Sequence, residues 1–388
     1  MKAQVRPMAA AWRALLLIIV FVGLAGMPGA ARSGEREPIK FPDTQYEPVD
    51  WTDLDGWAGD DHATAFAALL ASCRALNGNR QPAREAAPIT NALKTVCERA
   101  FAAVPLEEDG ARKFFEDNFR PLRISKLGDG DGFLTGYYEP IVEGSLTASR
   151  DFTAPVLARP DNLECLSPYP SRAAIEAGAI EGFTAPVVWL RDRVEVFIVQ
   201  VQGSARVGLA DGKVLRLVYA GRNGQPYTSI GRILIESGEI AKIDMSLAAL
   251  KHWIRAHGQN QGDAGLELMQ RNKSYVFFAL QEDSDPAVGP TGGQGTRLTA
   301  LRSIAIDRAI WPYGLPFWIA ADLPWQSSSV SPFRRLLIAQ DTGSAIVGPA
   351  RVDIFFGSGD DAGARAGDIR HAGDVVVLLP AGEDRTGA

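Results

Sequence analysis

The run Ile338-Ala339-Gln340-Asp341-Thr342-Gly343-Ser344-Ala345-Ile346-Val347-Gly348, continued by Arg351-Val352-Asp353-Ile354-Phe355-Phe356, constrains this chain more than any other stretch. Apolar residues lead into an aspartate, a glycine-containing turn follows, and a second aspartate stands at the head of another apolar run. That is a strand–turn–strand pattern with carboxylates at the strand ends. A buried strand end can fix a carboxylate and tune its pKa. Asp is also a common turn former, so the local pattern leaves two readings open, a chemical pair or a pair of turn residues.

Strand patterns surround this stretch: Tyr275–Leu280, Ser303–Ile306, Leu315–Ile319, Arg335–Ala339, Val352–Phe356 and Val375–Leu379. Many short strands separated by Gly and Pro turns predict a small barrel. Gly292-Gly293-Gln294-Gly295 is followed by no Gly-Lys-Ser/Thr and opens no helix, so it reads as a mobile surface loop rather than a phosphate cradle.

From about 141 to 260 the chain reads as a β-rich insertion with peripheral helices. Arg193–Gln202 has the β-branched and aromatic composition of a strand. Asp211-Gly212 between two apolar runs predicts a hairpin. Ser229–Ser237, stopped by Gly238, and Met245–Ile254 read as short helices. Upstream, apolar periodicity predicts helices over Ala65–Leu76, Asn91–Ala103 and Gly110–Asn118, forming a small helical layer behind an extended lead-in at 32–55.

Residues 1–31 have the form of a secretory signal: Lys2, Arg6 and Arg13, the apolar core Ala14–Leu24, then Gly29-Ala30-Ala31. The core is short for a membrane span. Cleavage after Ala31 removes three basic residues and no acid, taking the net charge from −6 to −9. Leu24-Ala25-Gly26 resembles the start of a lipoprotein signal, but Met27 stands where the lipidated Cys would be, and no thioether forms there. The mature protein is expected to be exported and periplasmic. In that compartment Cys73 and Cys97, both in helix-like segments, are expected to bond, a crosslink worth about 3 kcal/mol in the chain-entropy model. Cys165 is left over.

The 40 basic and 46 acidic residues form no basic cluster interleaved with aromatics, which argues against a nucleic-acid partner. The four His and three Cys are scattered without C-x-x-C or H-x-x-x-H spacing, which argues against a zinc site. No cofactor is implied.

Three functions from different classes fit the carboxylates. Asp341-Thr342-Gly343-Ser344 spells the turn of an aspartic protease, but that chemistry needs two aspartates sharing a proton and this chain has no second Asp-Thr/Ser-Gly. A glycan-cleaving enzyme needs one carboxylic acid to protonate the leaving oxygen, and hydrolysis normally needs a second. Asp353, Asp341 and Asp307 sit at strand ends in one region. A non-catalytic wall-binding module would use Tyr137, Tyr138 and tryptophans as sugar platforms.

Gln340-Asp341-Thr342-Gly343-Ser344-Ala345-Ile346-Val347-Gly348 with Val352-Asp353-Ile354-Phe355, preceded by Ile306-Asp307 and Pro312-Tyr313-Gly314, resembles the three-aspartate cell-wall domain. Gly357-Ser358-Gly359-Asp360-Asp361-Ala362-Gly363 narrows the resemblance to the membrane-bound lytic transglycosylase A family. Leu134-Thr135-Gly136-Tyr137-Tyr138-Glu139-Pro140, Val201-Gln202-Gly203-Ser204, Tyr219-Ala220-Gly221-Arg222-Asn223-Gly224 and Ser229-Ile230-Gly231-Arg232 also resemble that family. The match covers roughly 130–380 and owes little to the N-terminal helices.

The resemblance implies a mainly β fold. A discontinuous double-psi β-barrel is built from 32–140, with its N-terminal helices, and from 266–380, whose three-aspartate region spans about 300–380. An inserted β domain at 141–265 and a glycan groove between the two complete it; 381–388 is a tail. It implies a lyase that cleaves the MurNAc–GlcNAc bond of peptidoglycan strands without water, forming a 1,6-anhydromuramoyl end. The enzyme is expected to be a monomer with no cofactor or metal. Asp353 matches the catalytic position, as acid and then base. Asp341 is either its charged neighbour or a turn former. Thr135, Tyr137, Tyr138, Gln202 and Ser204 are groove candidates, and Trp318 and Trp325 are candidate subsite walls or core. The family pattern has Gly where Ser344 stands and a basic residue where Val347 stands. Met27 in place of the lipidated Cys argues against the lipid anchor that the family's name implies, and leaves outer-membrane association open.

Overall fold

The structure, a computed structural model, describes residues 44–76, 87–104, 106–128, 130–282, 285 and 287–381. The expected export signal with Met27 and the tail after 381 lie outside the described residues. Strand β1 (Thr44–Pro48) leads into the three helices that periodicity predicts, α1 (His62–Leu76), α2 (Ala87–Ala103) and α3 (Glu108–Asn118). Ala65, Leu69, Leu93, Val96, Ala100 and Phe115 from these helices enter one core with the barrel strands. Cys73 and Cys97 are bonded, tying α1 to α2, and Cys165 is a free, exposed thiol.

After β2 (Phe119–Lys126) and β3 (Gly132–Glu139) the chain leaves for an inserted lobe: β4 (Ile141–Ser145), β5 (Ala154–Leu157), α4 (Arg172–Glu176), β6 (Pro186–Leu190), α5 (Arg193–Gln202), β7 (Ala205–Gly208), β8 (Val214–Arg222), α6 (Ile230–Glu236), α7 (Leu247–Ala256), α8 (Ala264–Arg271) and β9 (Val276–Glu282). It returns as β10 (Ser303–Ala305), β11 (Pro316–Leu323), β12 (Ser331–Asp341), β13 (Arg351–Ser358), α9 (Asp360–Gly367) and β14 (Arg370–Pro380). Strands pair in the order β14–β11–β12–β10–β13–β3, and β3 pairs again with β14, closing a six-stranded barrel that β1 and β2 extend at one edge. Pairs β10–β12 and β13–β3 are parallel and the rest of the ring is antiparallel. Its centre is filled by Val352, Ile354, Phe317, Ile319, Leu337 and Val377, which share one face of the strands and are all fully buried, so the barrel is a packed core and not a channel. Helix α9 lies against β3 at Gly136, where a Cβ would come within 2.8 Å of the Ala366 backbone.

Two sequence expectations need correction. Arg193–Gln202 is helix α5, not a strand. The Asp192 side chain accepts a hydrogen bond from the Glu195 N–H, and Gly203 closes the helix with φ of +85°. Start and stop signals outrank β-branched composition here. The helix is apolar nearly all round because it lies between two cores: Val196 and Val199 face the lobe's sheet, while Phe197 and Ile198 face its helical layer. The inserted lobe also runs past 265. Strand β9 pairs with β8, so α8 and β9 belong to it and the barrel resumes only after Glu282. An apolar strand reads alike in either sheet, which hid the boundary. The Asp211-Gly212 hairpin is present, with Gly212 at φ of +84°.

The two lobes are joined by a buried charge cluster. Glu139, 0% exposed, meets Arg206 Nε at 3.1 Å and Arg216 Nε at 3.0 Å, and accepts a 2.7 Å hydrogen bond from Ser358 Oγ. Truncating one member of such a cluster strands the others' charge in a low dielectric. Glu139→Ala is expected to lower the unfolding free energy by about 3–5 kcal/mol in urea melts; a loss under about 1 kcal/mol would show that the arginines find other partners.

Candidate active site

Register gathers the sequence's candidate acids in one row across the barrel wall. Asp341 on β12 and Asp353 on β13 both pair with Ala305 on the intervening β10, and Asp353 pairs in turn with Thr135 on β3. Two strand spacings put the aspartate Cα atoms about 10 Å apart, and Ala305 contributes only a methyl between them. The row floors a cleft of about 700 Å³ between barrel and inserted lobe. Barrel residues Phe133, Thr135, Tyr137, Arg351 and Arg370 line it from one side, and Ile198, Gln202, Tyr227, Arg232 and Leu250 from the other.

Asp353 Oδ1 accepts a 2.5 Å hydrogen bond from Thr135 Oγ1, which accepts a 2.8 Å bond from Arg351 Nη2. Arg351 offers only donors, so the single Thr135 proton goes to Asp353 Oδ1. An acid proton on Asp353 therefore belongs on Oδ2. Burial raises the pKa of Asp353 above the usual carboxylate value; the Arg351 cation and the Thr135 bond oppose it without cancelling it. Burial also lowers the pKa of Arg351.

Asp341 is held differently. Its Oδ1 accepts from the Gly293 and Thr342 N–H groups, both at 2.8 Å, and its Oδ2 accepts from Tyr137 Oη at 2.9 Å. Burial raises its pKa too, with those three donors pulling the other way and the Asp353 charge adding a smaller upward push. Burial and then the Asp341 charge push the Tyr137 phenol well above its ordinary value, so it remains a donor.

Of the predicted groove residues, Thr135, Tyr137, Tyr138 and Gln202 line the cleft. Gln202 Oε1 accepts the Tyr138 N–H at 2.9 Å, a bond that also ties α5 to β3 across the lobes. Ser204 is buried and is not among the lining residues. It lies beyond the Gly203 stop of α5, where the chain turns away. Trp318 and Trp325 are in the hydrophobic core shared by the barrel and the N-terminal helices, away from the cleft. Asp307 is a turn former: its carboxylate accepts from the Ala309 and Gly348 N–H groups.

Gly292–Gly295 is no free surface loop. Gly293 donates to Asp341, and Gln294 is buried with its N–H on Gln340 O at 3.0 Å. Sequence reasoning also missed Arg351 and Tyr227. Arg351 was legible, since it sits two residues before Asp353 on the same strand face. Tyr227 had no local signal; it reaches the cleft from the loop after β8, and its phenol is raised by burial and then by the Asp353 charge. Among the described residues no three His, Cys, Asp or Glu side chains gather as a metal site.

A barrel with two part-buried aspartates on the floor of an interlobe cleft has the layout of an enzyme that works on an extended substrate, and the comparisons narrow it. Residues 133–279 match the "MltA specific insert domain" and residues 302–379 the "3D domain". Membrane-bound lytic murein transglycosylase A of Escherichia coli K12 is 36% identical over 258 residues, 65% of this chain and 67% of the relative. The Vibrio cholerae protein of that name is 35% identical over 267 residues, 66% and 69%. A crystal structure of membrane-bound lytic murein transglycosylase from Agrobacterium tumefaciens superposes with a TM-score of 0.76 at 34% identity, covering 86% of this chain and 97% of that one. E. coli MltA with bound chitohexaose superposes at 0.63 and 29% identity, covering 89% and 94%. The chain belongs to the membrane-bound lytic murein transglycosylase A family, and its barrel is the double-psi barrel.

An Asp353 that acts as an acid must be protonated, so on that role activity is expected to fall as pH rises through its raised pKa. Arg351 favours the carboxylate, so Arg351→Gln is expected to move the alkaline limb of kcat/KM to higher pH. A limb that stays in place, or moves down, would show that the limb reports another group.

Proposed function

We propose that the chain cleaves the β-1,4 bond between MurNAc and GlcNAc in peptidoglycan without water, leaving a 1,6-anhydromuramoyl end. The observation that carries this reading is Asp353. It is the one cleft aspartate with a carboxylate oxygen not engaged by a described protein donor, and burial favours its protonated form. In the first step the proton on Oδ2 passes to the glycosidic oxygen as the C1–O bond breaks. The resulting carboxylate then takes the proton of the muramoyl 6-hydroxyl as that oxygen bonds to C1, and Asp353 is restored for the next turnover. The nucleophile is held within the substrate, so proximity does what an activated water would do elsewhere.

Asp341, with three donors on its two oxygens, is suited to remain a carboxylate. We assign it to holding Tyr137 and to stabilising positive charge at C1 in the transition state. Thr135, by donating to Oδ1, leaves Oδ2 to carry the acid proton, and Tyr137, Tyr138 and Gln202 contact the sugars; the chitohexaose bound to the E. coli relative supports a saccharide in the cleft. Both cleft walls come from one chain, which supports action as a monomer. The relatives are membrane-bound by name, and no described helix is long and apolar enough to cross a membrane. We place the enzyme in the periplasm on the basis of the sequence at 1–31 and the wall substrate.

Digestion of purified sacculi is expected to release muropeptides lighter by one water than hydrolytic products, read by mass spectrometry. Reducing ends would identify a hydrolase, and binding without release would identify a wall-binding module. Asp353→Asn is expected to lower kcat about 10²- to 10⁴-fold while glycan binding persists; near wild-type turnover would remove Asp353 from the mechanism.

A further inference from the structure

Three features lie outside the proton chemistry: the Gly292–Gly295 loop, the Cys73–Cys97 bond and the fully buried amide of Gln340. They meet at one place. Gln340 Oε1 accepts from Ser303 Oγ at 2.5 Å, and its Nε2 donates to Ala68 O at 2.9 Å and Ser72 Oγ at 2.8 Å on α1. Gln294 N–H donates to Gln340 O at 3.0 Å, and Gln294 Nε2 reaches Ser72 O at 3.3 Å. The loop can lie this close only because Gly292 has no side chain, since a Cβ there would come within 2.6 Å of Gln340 O. Between these anchors stands Gly293, whose N–H is bonded to Asp341 Oδ1. Cys73, next to Ser72, fixes this part of α1 to α2.

A buried amide with donor and acceptor both used has one orientation, because rotation would strand its polar atoms. That orientation is shared by β10, β12, the loop and α1. Asp341 is the next residue after Gln340, and its Oδ1 is bound by an N–H presented from the same loop. We propose that Gln340 and Gln294, seated on Ser72 of α1, are positioning residues that hold Asp341 and its Gly293 donor in the geometry used during bond cleavage. The helical layer, on this assignment, is part of the active site's supporting structure and the Cys73–Cys97 bond keeps its contact surface in place. The proposal rests on the reading of Asp341 as a group that acts on the reacting sugar.

The test uses the full mature chain on sacculi, with anhydro products quantified. Wild-type release of anhydromuropeptides is the control for the proposed function; its absence sinks that reading, whatever the variants do. Given that control, Gln294→Ala and Gln340→Leu are each expected to lower kcat about tenfold, with KM changed less than about twofold, the signature of transition-state positioning. Each is also expected to shift the pH profile. In an Asp341→Asn background neither is expected to slow the enzyme further, because the group through which they act is already lost. Reduction of the Cys73–Cys97 bond is expected to lower kcat in the same way, at a temperature where near-ultraviolet circular dichroism shows the fold intact. The proposal is overturned if the folded variants keep the wild-type kcat and pH profile, or if their losses multiply with that of Asp341→Asn.

Discussion

Glu139 and its two arginines determine where the cleft is. The chain leaves the barrel at Glu139 and re-enters it after Glu282, and both crossings are held by the same side chains. Arg206 and Arg216 close on the Glu139 carboxylate, while their outer nitrogens donate to Val288 O and, from Arg216, to Gly289 O. Burying three charges costs free energy that the pairing roughly offsets, so such a cluster adds little stability over an apolar replacement. What it adds is direction. Guanidinium groups are planar and donate along fixed lines, so the inserted lobe can sit on the barrel in few orientations. Thr135, Tyr137 and Glu139 alternate along β3, and the strand that carries the charge cluster thus also carries the two hydroxyls that bind the aspartates.

On the roles proposed for them, the two aspartates are carboxyl groups held on one barrel wall for different tasks. Burial acts on both in the same direction, so burial alone cannot distinguish them. The donors do. Asp341 receives three hydrogen bonds that favour the ionised form, two of them from backbone N–H groups. Asp353 receives one from Thr135, and its cation neighbour is itself weakened as a proton holder by burial. Differing donor sets of this kind are one way enzymes divide acid and charge-stabilising roles, the division proposed for this pair.

Much of this was legible in the sequence where a local rule and the tertiary environment agree. The strand–turn–strand around Asp341 and Asp353, the three N-terminal helices and the Cys73–Cys97 bond all have short-range signals, and all are present. The failures have physical causes. Arg193–Gln202 looks like a strand because a helix sandwiched between two cores is apolar on every face. Gly292–Gly295 looks like a free loop because glycines that permit close approach and glycines that permit motion are the same letters. Ser204 drew attention through its place in a motif, yet Gly203 ends the helix before it and turns it away from the cleft. Tyr227 could not be found at all from neighbours in sequence; only folding of the inserted lobe brings it within reach of Asp353.

The arrangement also bears on why a second catalytic carboxylate is unnecessary. A hydrolase must orient and deprotonate a water, and the residue that does so needs an oxygen directed at open space. On Asp341, Oδ1 is held by Gly293 and Thr342 and Oδ2 by Tyr137, so a water would have to compete with these donors. Freeing an oxygen fully would mean breaking the bonds that hold it, at about 1–3 kcal/mol for each polar group left unsatisfied. A nucleophile carried by the sugar removes that requirement, since it arrives already positioned and its proton can return to the acid that has just given one up. Asp353, with one oxygen bound by Thr135 and the other left for the substrate, has the bonding capacity for both transfers. The hydrogen-bond capacity of the two carboxyl groups thus favours attack by the sugar's own hydroxyl over hydrolysis on this barrel.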